Sequence, residues 1–265
     1  MQNQHVQQLL EEDYYFRFGD YISEGFRILG KNLGSFVVFT ILFLIIAMVT
    51  SFIPIIGGFA NSLIISPCLL AGLYIVANKV QRNEMTEFGD FFSGFQFLTQ
   101  LALVAFMTSL ITMLALIPFA FSNVGFINWI AELALNSESL ADNPEMLFED
   151  MPTFYPWTFI LLIPPIYLAI SYSWAPLFVV FHKLQFWDAM EASRIMITKK
   201  WFQYFIFTLV VGILASVGVV GFCIGILFTI PAAYCMIYAA FADATQLDEL
   251  DNGEDFDIVD HLIDD

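Results

Sequence analysis

Six runs of roughly twenty apolar residues, at 33–53, 58–78, 98–121, 157–181, 201–220 and 222–242, contain no Asp, Glu, Lys, Arg or His, and they constrain the fold more than any other feature. A helix rises about 1.5 Å per residue, so about 20 residues cross a hydrocarbon core of about 30 Å. Each run is therefore predicted to be a transmembrane helix. The composition agrees, since 59% of the 265 residues are hydrophobic and 13% are charged, well outside the usual balance of a soluble domain. The first run lies behind a charged arm, 1–17, and reads as a membrane span rather than a cleaved signal peptide.

The nine basic residues set the orientation. Arg17, Arg27 and Lys31 precede the first run, Lys79 and Arg82 lie between the second and third, and Lys183, Arg194, Lys199 and Lys200 lie between the fourth and fifth. The alternate connections hold none, and 122–156, read as an external loop, carries Glu132, Glu138, Asp142, Glu145, Glu149 and Asp150. Basic residues accumulate on the cytoplasmic side, so both termini are expected there. The net charge of −17 is concentrated: ten of the 26 acids follow Phe241. Residues 243–265 thus read as an acidic cytoplasmic tail.

A short stretch recurs before the odd-numbered runs, as FGDYISEGFR at 18–27, FGDFFSGFQ at 88–96 and FWDAMEASR at 186–194. Asp20, Asp90 and Asp188 hold the same place in each copy, followed three residues on by Ser23, Ser93 or Glu191. That spacing predicts three helices with these aspartates as N-caps. Ile22, Phe26, Leu29 and Leu33 recur at helical steps in the first copy, with Glu24, Arg27 and Lys31 on another face. Met190, Ser193, Ile197 and Trp201 do so in the third, where Glu191 and Arg194 pair on the wet side. Such helices are expected to lie in the membrane interface. Glu24 and Arg27 match Glu191 and Arg194 at an offset of 167, then Gly57, Pro67 and Tyr74 match Gly221, Pro231 and Tyr238 at 164. The expected fold class is all-α integral membrane, with three hairpins each preceded by a cytoplasmic interfacial amphipathic helix. The units are 18–87, 88–185 and 186–242, related as parallel internal repeats.

PCLLAGLYIVANKVQRNEMTEFGDFFSGFQ at 67–96, with Ala71-Gly72, Arg82, Glu84, Asp90 and Gly94-Phe95, resembles a pattern in bacterial multi-pass inner-membrane proteins related to YciC and to the membrane domain of some glycerophosphodiesterases. CIGILFTIPAAY at 223–234 is similar to the same group's last hairpin. The resemblance covers most of 18–242 and implies a bacterial cytoplasmic membrane location and this topology. It brings no catalytic residues.

Catalytic chemistry finds little support in the residues. His5, His182 and His261 lie in three distant regions, so no metal cluster is expected. There is no GxSxG, P-loop, GxGxxG or HExxH pattern. No cofactor is expected, and the chain is read as a non-enzyme. Cys68, Cys223 and Cys235 fall inside spans without CxxC spacing and read as small apolar residues. The spans also lack the ionisable groups that ion-coupled carriers retain, which leaves room only for an apolar or amphiphilic solute.

Pro67 and Pro231 occupy matching places, and Pro164, Pro165 and Pro176 interrupt the fourth span. Proline removes a backbone hydrogen bond and kinks a helix. Asn61, Ser66, Pro67 and Pro231 are accordingly the candidate solute-binding residues, although kinks also serve packing alone. Gly212/Ser216 and Gly221/Gly225 have small-xxx-small spacing suited to close helix approach. Trp129, Trp157, Trp187 and Trp201 read as interfacial anchors. In the tail, Phe256, Val259 and Ile263 recur at helical spacing among acids. It reads as a solvated run or a peptide that folds onto a basic partner.

The expected partners are therefore the lipid bilayer and, through the tail, a basic cytoplasmic or membrane protein, with no nucleic acid. Two functions follow. One is a membrane protein that binds or organises other membrane proteins or lipids; the alternative is a permease-like carrier of an apolar or amphiphilic solute.

Overall fold

The computed structural model describes residues 9–11, 13–53, 56–135, 152–153, 155–220 and 225–247, and every regular element among them is helical. Six helices are long and apolar enough to cross a membrane: Leu33–Ser51, Ile56–Gln81, Phe88–Ser122, Pro156–Phe181, Trp201–Val219 and Ile226–Ala244. Each overlaps one of the apolar runs. The chain is thus all-α, with six potential membrane spans. The acidic segment beyond 247, loop residues 136–151, Gly221 and Cys223 lie outside the described residues.

Ten α-helices are labelled here. They are α1 (Phe18–Lys31), α2 (Leu33–Ser51), α3 (Ser66–Gln81), α4 (Leu98–Ser122) and α5 (Val124–Leu135). The others are α6 (Ile163–Ser171), α7 (Ala175–Phe181), α8 (Phe186–Lys199), α9 (Trp201–Val220) and α10 (Ile226–Ala244). Two compact units divide the chain, one built from the residues up to Phe106 together with those from Ser171, the other spanning Met107–Ile170. In the second, Asn123 Nδ2 donates to Thr158 Oγ1 at 3.1 Å. The start of the expected external loop is in fact the helix α5, because VGFINWIAELAL has neither Gly nor Pro after its first turn to stop a helix.

The first unit is organised by three short helices, each lying on one span. α1 lies on α10, the 3-10 helix Phe88–Phe97 lies on α3, and α8 lies on α7. Glycine makes the first two contacts close. A Cβ on Gly25 would collide with the Met236 backbone, one on Gly94 with the Cys68 carbonyl, and one on Gly72 with the Phe91 carbonyl. With three residues per turn, Phe91 and Gly94 share the buried face of the 3-10 helix. Phe91 then stacks on Phe39 of α2, ring centroids 4.3 Å apart.

At the third contact a serine stands where the other two have glycine, and its hydroxyl serves the backbone opposite. Pro176 cannot donate to the preceding turn, and the fourth span breaks into a turn between α6 and α7. Fully buried Ser193 on α8 bridges that break, accepting from the Trp174 N–H at 3.1 Å and donating to the Ser171 carbonyl at 2.7 Å. Two backbone groups in an apolar setting thereby gain partners. Pro164 and Pro165 also sit in the first turn of a helix, α6, where the 3-10 segment Pro156–Leu162 gives way to α-helix with no turn between the two.

The structure corrects three details of the sequence reading. Asp20, Asp90 and Asp188 are not N-caps; those positions are Arg17, Glu87 and Gln185, and the aspartates stand at the third helical residue. The preceding Phe and Gly or Trp already have helical backbone. Asp90 nonetheless satisfies a helix-start donor, accepting from the Glu87 N–H at 2.9 Å, and pairs with Lys79 at 2.8 Å. The buried stripe of α1 is Tyr21, Gly25, Ile28 and Leu29 rather than Ile22, Phe26, Leu29 and Leu33, of which Phe26 is 50% exposed. The body also extends past 242: α10 runs to Ala244, and Thr245 and Leu247 are buried. The charge run hides this, since Asp243 is acidic yet belongs to the helix.

Among the described residues, three helix ends finish on positive φ, Asn83 after α3 (59°), Lys183 after α7 (51°) and Gln246 after α10 (49°). This left-handed stop satisfies terminal carbonyls and is usually glycine. Asn tolerates it, whereas Lys and Gln bear a cost of about 1–2 kcal/mol. Lys183→Gly and Gln246→Gly are each expected to raise stability by roughly 0.5–1 kcal/mol after the entropy of glycine is deducted, with Asn83→Gly close to neutral. Denaturant unfolding in mild detergent measures the order.

Candidate functional site

A cleft of about 460 Å³ opens where α1, the end of α3 and the end of α10 meet. From α1, Asp20, Glu24 and Arg27 line it at i, i+4 and i+7, which places them on one helical stripe. α3 contributes Gln81, and the last turn of α10 contributes Asp243 and Gln246. The left-handed backbone at Gln246 ends α10 beside the cleft. Its polar character comes from this meeting of helix ends, just beyond the apolar part of each span.

One corner is fixed by a charged triad. Arg17 pairs with Asp243, whose second oxygen accepts the Tyr21 hydroxyl at 2.6 Å. The Asp243 hydrogen bond and charge hold the Arg17 pKa above its usual value. Burial, as the largest influence, pushes the Tyr21 phenol upward, so it stays a neutral donor. Edge contacts from Phe16 and Phe207, at 5.0 and 6.0 Å, lock the Tyr21 ring. Asp243 is thus held by two donors from the N-terminal side of the chain.

The second pair is looser. Arg27 and Glu24 make a two-pronged contact at 2.5 and 2.7 Å on the same helix, with the Arg27 side chain 55% exposed. Glu24 raises the Arg27 pKa. An exposed i,i+3 pair is worth only about 0.3–0.5 kcal/mol, so either member is readily recruited by another charge. The five charged groups Arg17, Arg27, Asp20, Glu24 and Asp243 sum to 2 − 3 = −1, and the excess charge falls to Asp20.

Of the candidate solute-binding and helix-cap residues named from the sequence, only Asp20 lines this cleft, beside Ser23, Glu24 and Arg27 of the same copy of the repeat. Asp90 ties the 3-10 helix to α3, and Asp188 is an exposed first-turn residue of α8. Asn61, Ser66 and Pro67 are half-buried along the second span, and Pro231 is buried in α10 without breaking it. A π-helical turn, Asn61–Ile65, immediately precedes Ser66 and Pro67. Proline's missing donor and ring bulk favour such a local widening. Gly212 and Ser216 are exposed, whereas Gly225 closely approaches Gly218 of α9.

Asp243, Tyr21, Arg17, Gln81 and Gln246 were missed. Only Asp243 had a readable signal: AAFADA continues a helix-favouring run without a stop. The residues of the 67–96 pattern serve packing, through Gly72, Gly94, the Asp90–Lys79 pair and the Arg82–Glu84 pair at 3.7 Å. The chain matches no family model, no curated protein and no solved structure.

Proposed function

We propose that this chain is a non-enzymatic multi-pass protein of the bacterial cytoplasmic membrane that binds or organises membrane components, lipids or proteins, through the cleft at the α1–α10 junction. The observation that carries this reading is the cleft's construction. Opposed charges, one pair anchored and one loose, sit at helix ends beside apolar spans, where an amphiphile would present its polar part. Affinity capture from native membranes tests it, with the intact chain beside Arg27→Gln. At least one lipid or protein component is expected to be lost from the variant; an identical set would overturn the reading.

The topology belongs to this proposal. Three parallel units, each an interfacial helix followed by a hairpin, are supported by the three helix-on-span contacts. Met236 and Gly72, which receive Gly25 and Gly94, are also separated by the repeat offset of 164. With cytoplasmic termini, Met85→Cys should resist an impermeant thiol reagent in intact cells and Leu135→Cys should react. Met85 is 95% and Leu135 84% exposed, so access through the protein limits neither. The test uses a background without the three native cysteines, and the opposite pattern would reverse the orientation. In the same orientation the acidic segment beyond 247 would be on the side of a basic cytoplasmic partner, as expected of a docking tail.

The π-helical turn at Asn61–Ile65 favours a second reading, a permease-like carrier, because such turns recur at functional sites. Proteoliposome uptake of an amphiphilic solute, abolished by Asn61→Ala without loss of folding, would establish it.

A further inference from the structure

We infer that the cleft takes a phosphate-linked primary amine, presented as a phosphatidylethanolamine headgroup. This rests on the proposed binding role of the cleft and names its ligand class. Three features of the α1 stripe point there. Arg27 is a guanidinium with half its surface open, held only by a weak pair on its own helix, and guanidinium is the side chain best shaped for bidentate contact with phosphate. Asp20 supplies the uncompensated negative charge, and Glu24 stands between the two. From Glu24 to Arg27 the helix rises about 4.5 Å, so once the pair separates, acceptor and donor are based close to one turn apart. The two-carbon ethanolamine link spaces ammonium and phosphate on that scale.

A phosphate on Arg27 frees Glu24, which together with Asp20 then receives the ammonium; the zwitterion leaves the net charge of the cleft at −1, shared by two carboxylates around one ammonium. The net charge of −1 disfavours a purely anionic headgroup. The lining also distinguishes amines: it presents carboxylates and amide oxygens, and its one aromatic residue, Tyr21, is buried. A primary ammonium donates three hydrogen bonds to such acceptors, whereas a quaternary ammonium seeks aromatic faces. The apolar surfaces of the spans are left for the acyl chains.

The test is binding of short-chain phosphatidylethanolamine, phosphatidylcholine and phosphatidylglycerol to the full chain in a non-ionic detergent, with free O-phosphoethanolamine as the soluble arm. The ethanolamine lipid should bind about tenfold or more tightly than the other two lipids, and also than the free headgroup. Asp20→Asn should reduce the ethanolamine preference to near parity. Asp188→Asn, the corresponding exposed position on α8, should leave it unchanged and serves as the folding control. Equal binding of all three lipids, or a preference intact in Asp20→Asn, would overturn the headgroup assignment. Tight phosphatidylglycerol binding lost in Arg27→Gln would overturn it while keeping the cleft as a lipid site. Free phosphoethanolamine binding as tightly as the lipid would replace the lipid by a soluble solute.

Discussion

Alanine at Gly72 or Gly94 is expected to destabilise the protein by roughly 3 kcal/mol, at the upper end of overpacking penalties, and to lower folded yield in detergent sharply. The added Cβ at Gly72 would enter the Phe91 carbonyl, and at Gly94 the Cys68 carbonyl and the Gly72 backbone. Neither collision involves a flexible side-chain tip, so relief requires the 3-10 helix to lift from α3. Lifting would also separate Phe91 from Phe39 and Asp90 from Lys79. Because the two glycines share one contact, the double substitution should cost clearly less than the sum of the singles. Gly30 and Gly212 are the controls, since a Cβ there meets nothing within 4 Å. Alanine at those helical positions should be neutral or stabilising by up to about 1 kcal/mol. Denaturant unfolding of the four variants in one detergent measures the contrast, and equal effects would refute the close crossing.

The spans were legible because lipid leaves a helix few alternatives, and an uncharged run of the right length identifies one without knowledge of its neighbours. What neighbours decide was not. Gly72 and Gly94 are prominent in the 67–96 pattern, but only the crossing shows which carbonyl each one clears. Asp20, Asp90 and Asp188 were found as helix-start residues and placed one turn too early, since periodicity locates a helix better than its first residue. The cleft was least legible of all. It joins Arg17 and Asp243, 226 positions apart, and the acidic composition around Asp243 pointed toward a tail. The stops at Lys183 and Gln246 were invisible because neither is glycine.

Ser193→Ala tests the repair of the broken fourth span and is expected to destabilise by about 1–3 kcal/mol, the cost of leaving the buried Trp174 N–H without a partner. The Ser171 carbonyl loses its donor in the same substitution. A small cavity alone would cost less, since only one oxygen is removed. The two causes separate through Pro176. Replacing it with alanine restores a backbone donor and removes the ring clash, so the span can close into a continuous helix in which Trp174 N–H reaches the carbonyl four residues back. If Ser193 serves the break, Pro176→Ala should soften the effect of Ser193→Ala, with a coupling of roughly 1 kcal/mol in a double-mutant cycle. If Ser193 merely fills space between α8 and the fourth span, the two effects should add. Additivity would refute the repair, and a larger loss in the double variant would mean that the break itself is required by the packing of α8 on α7.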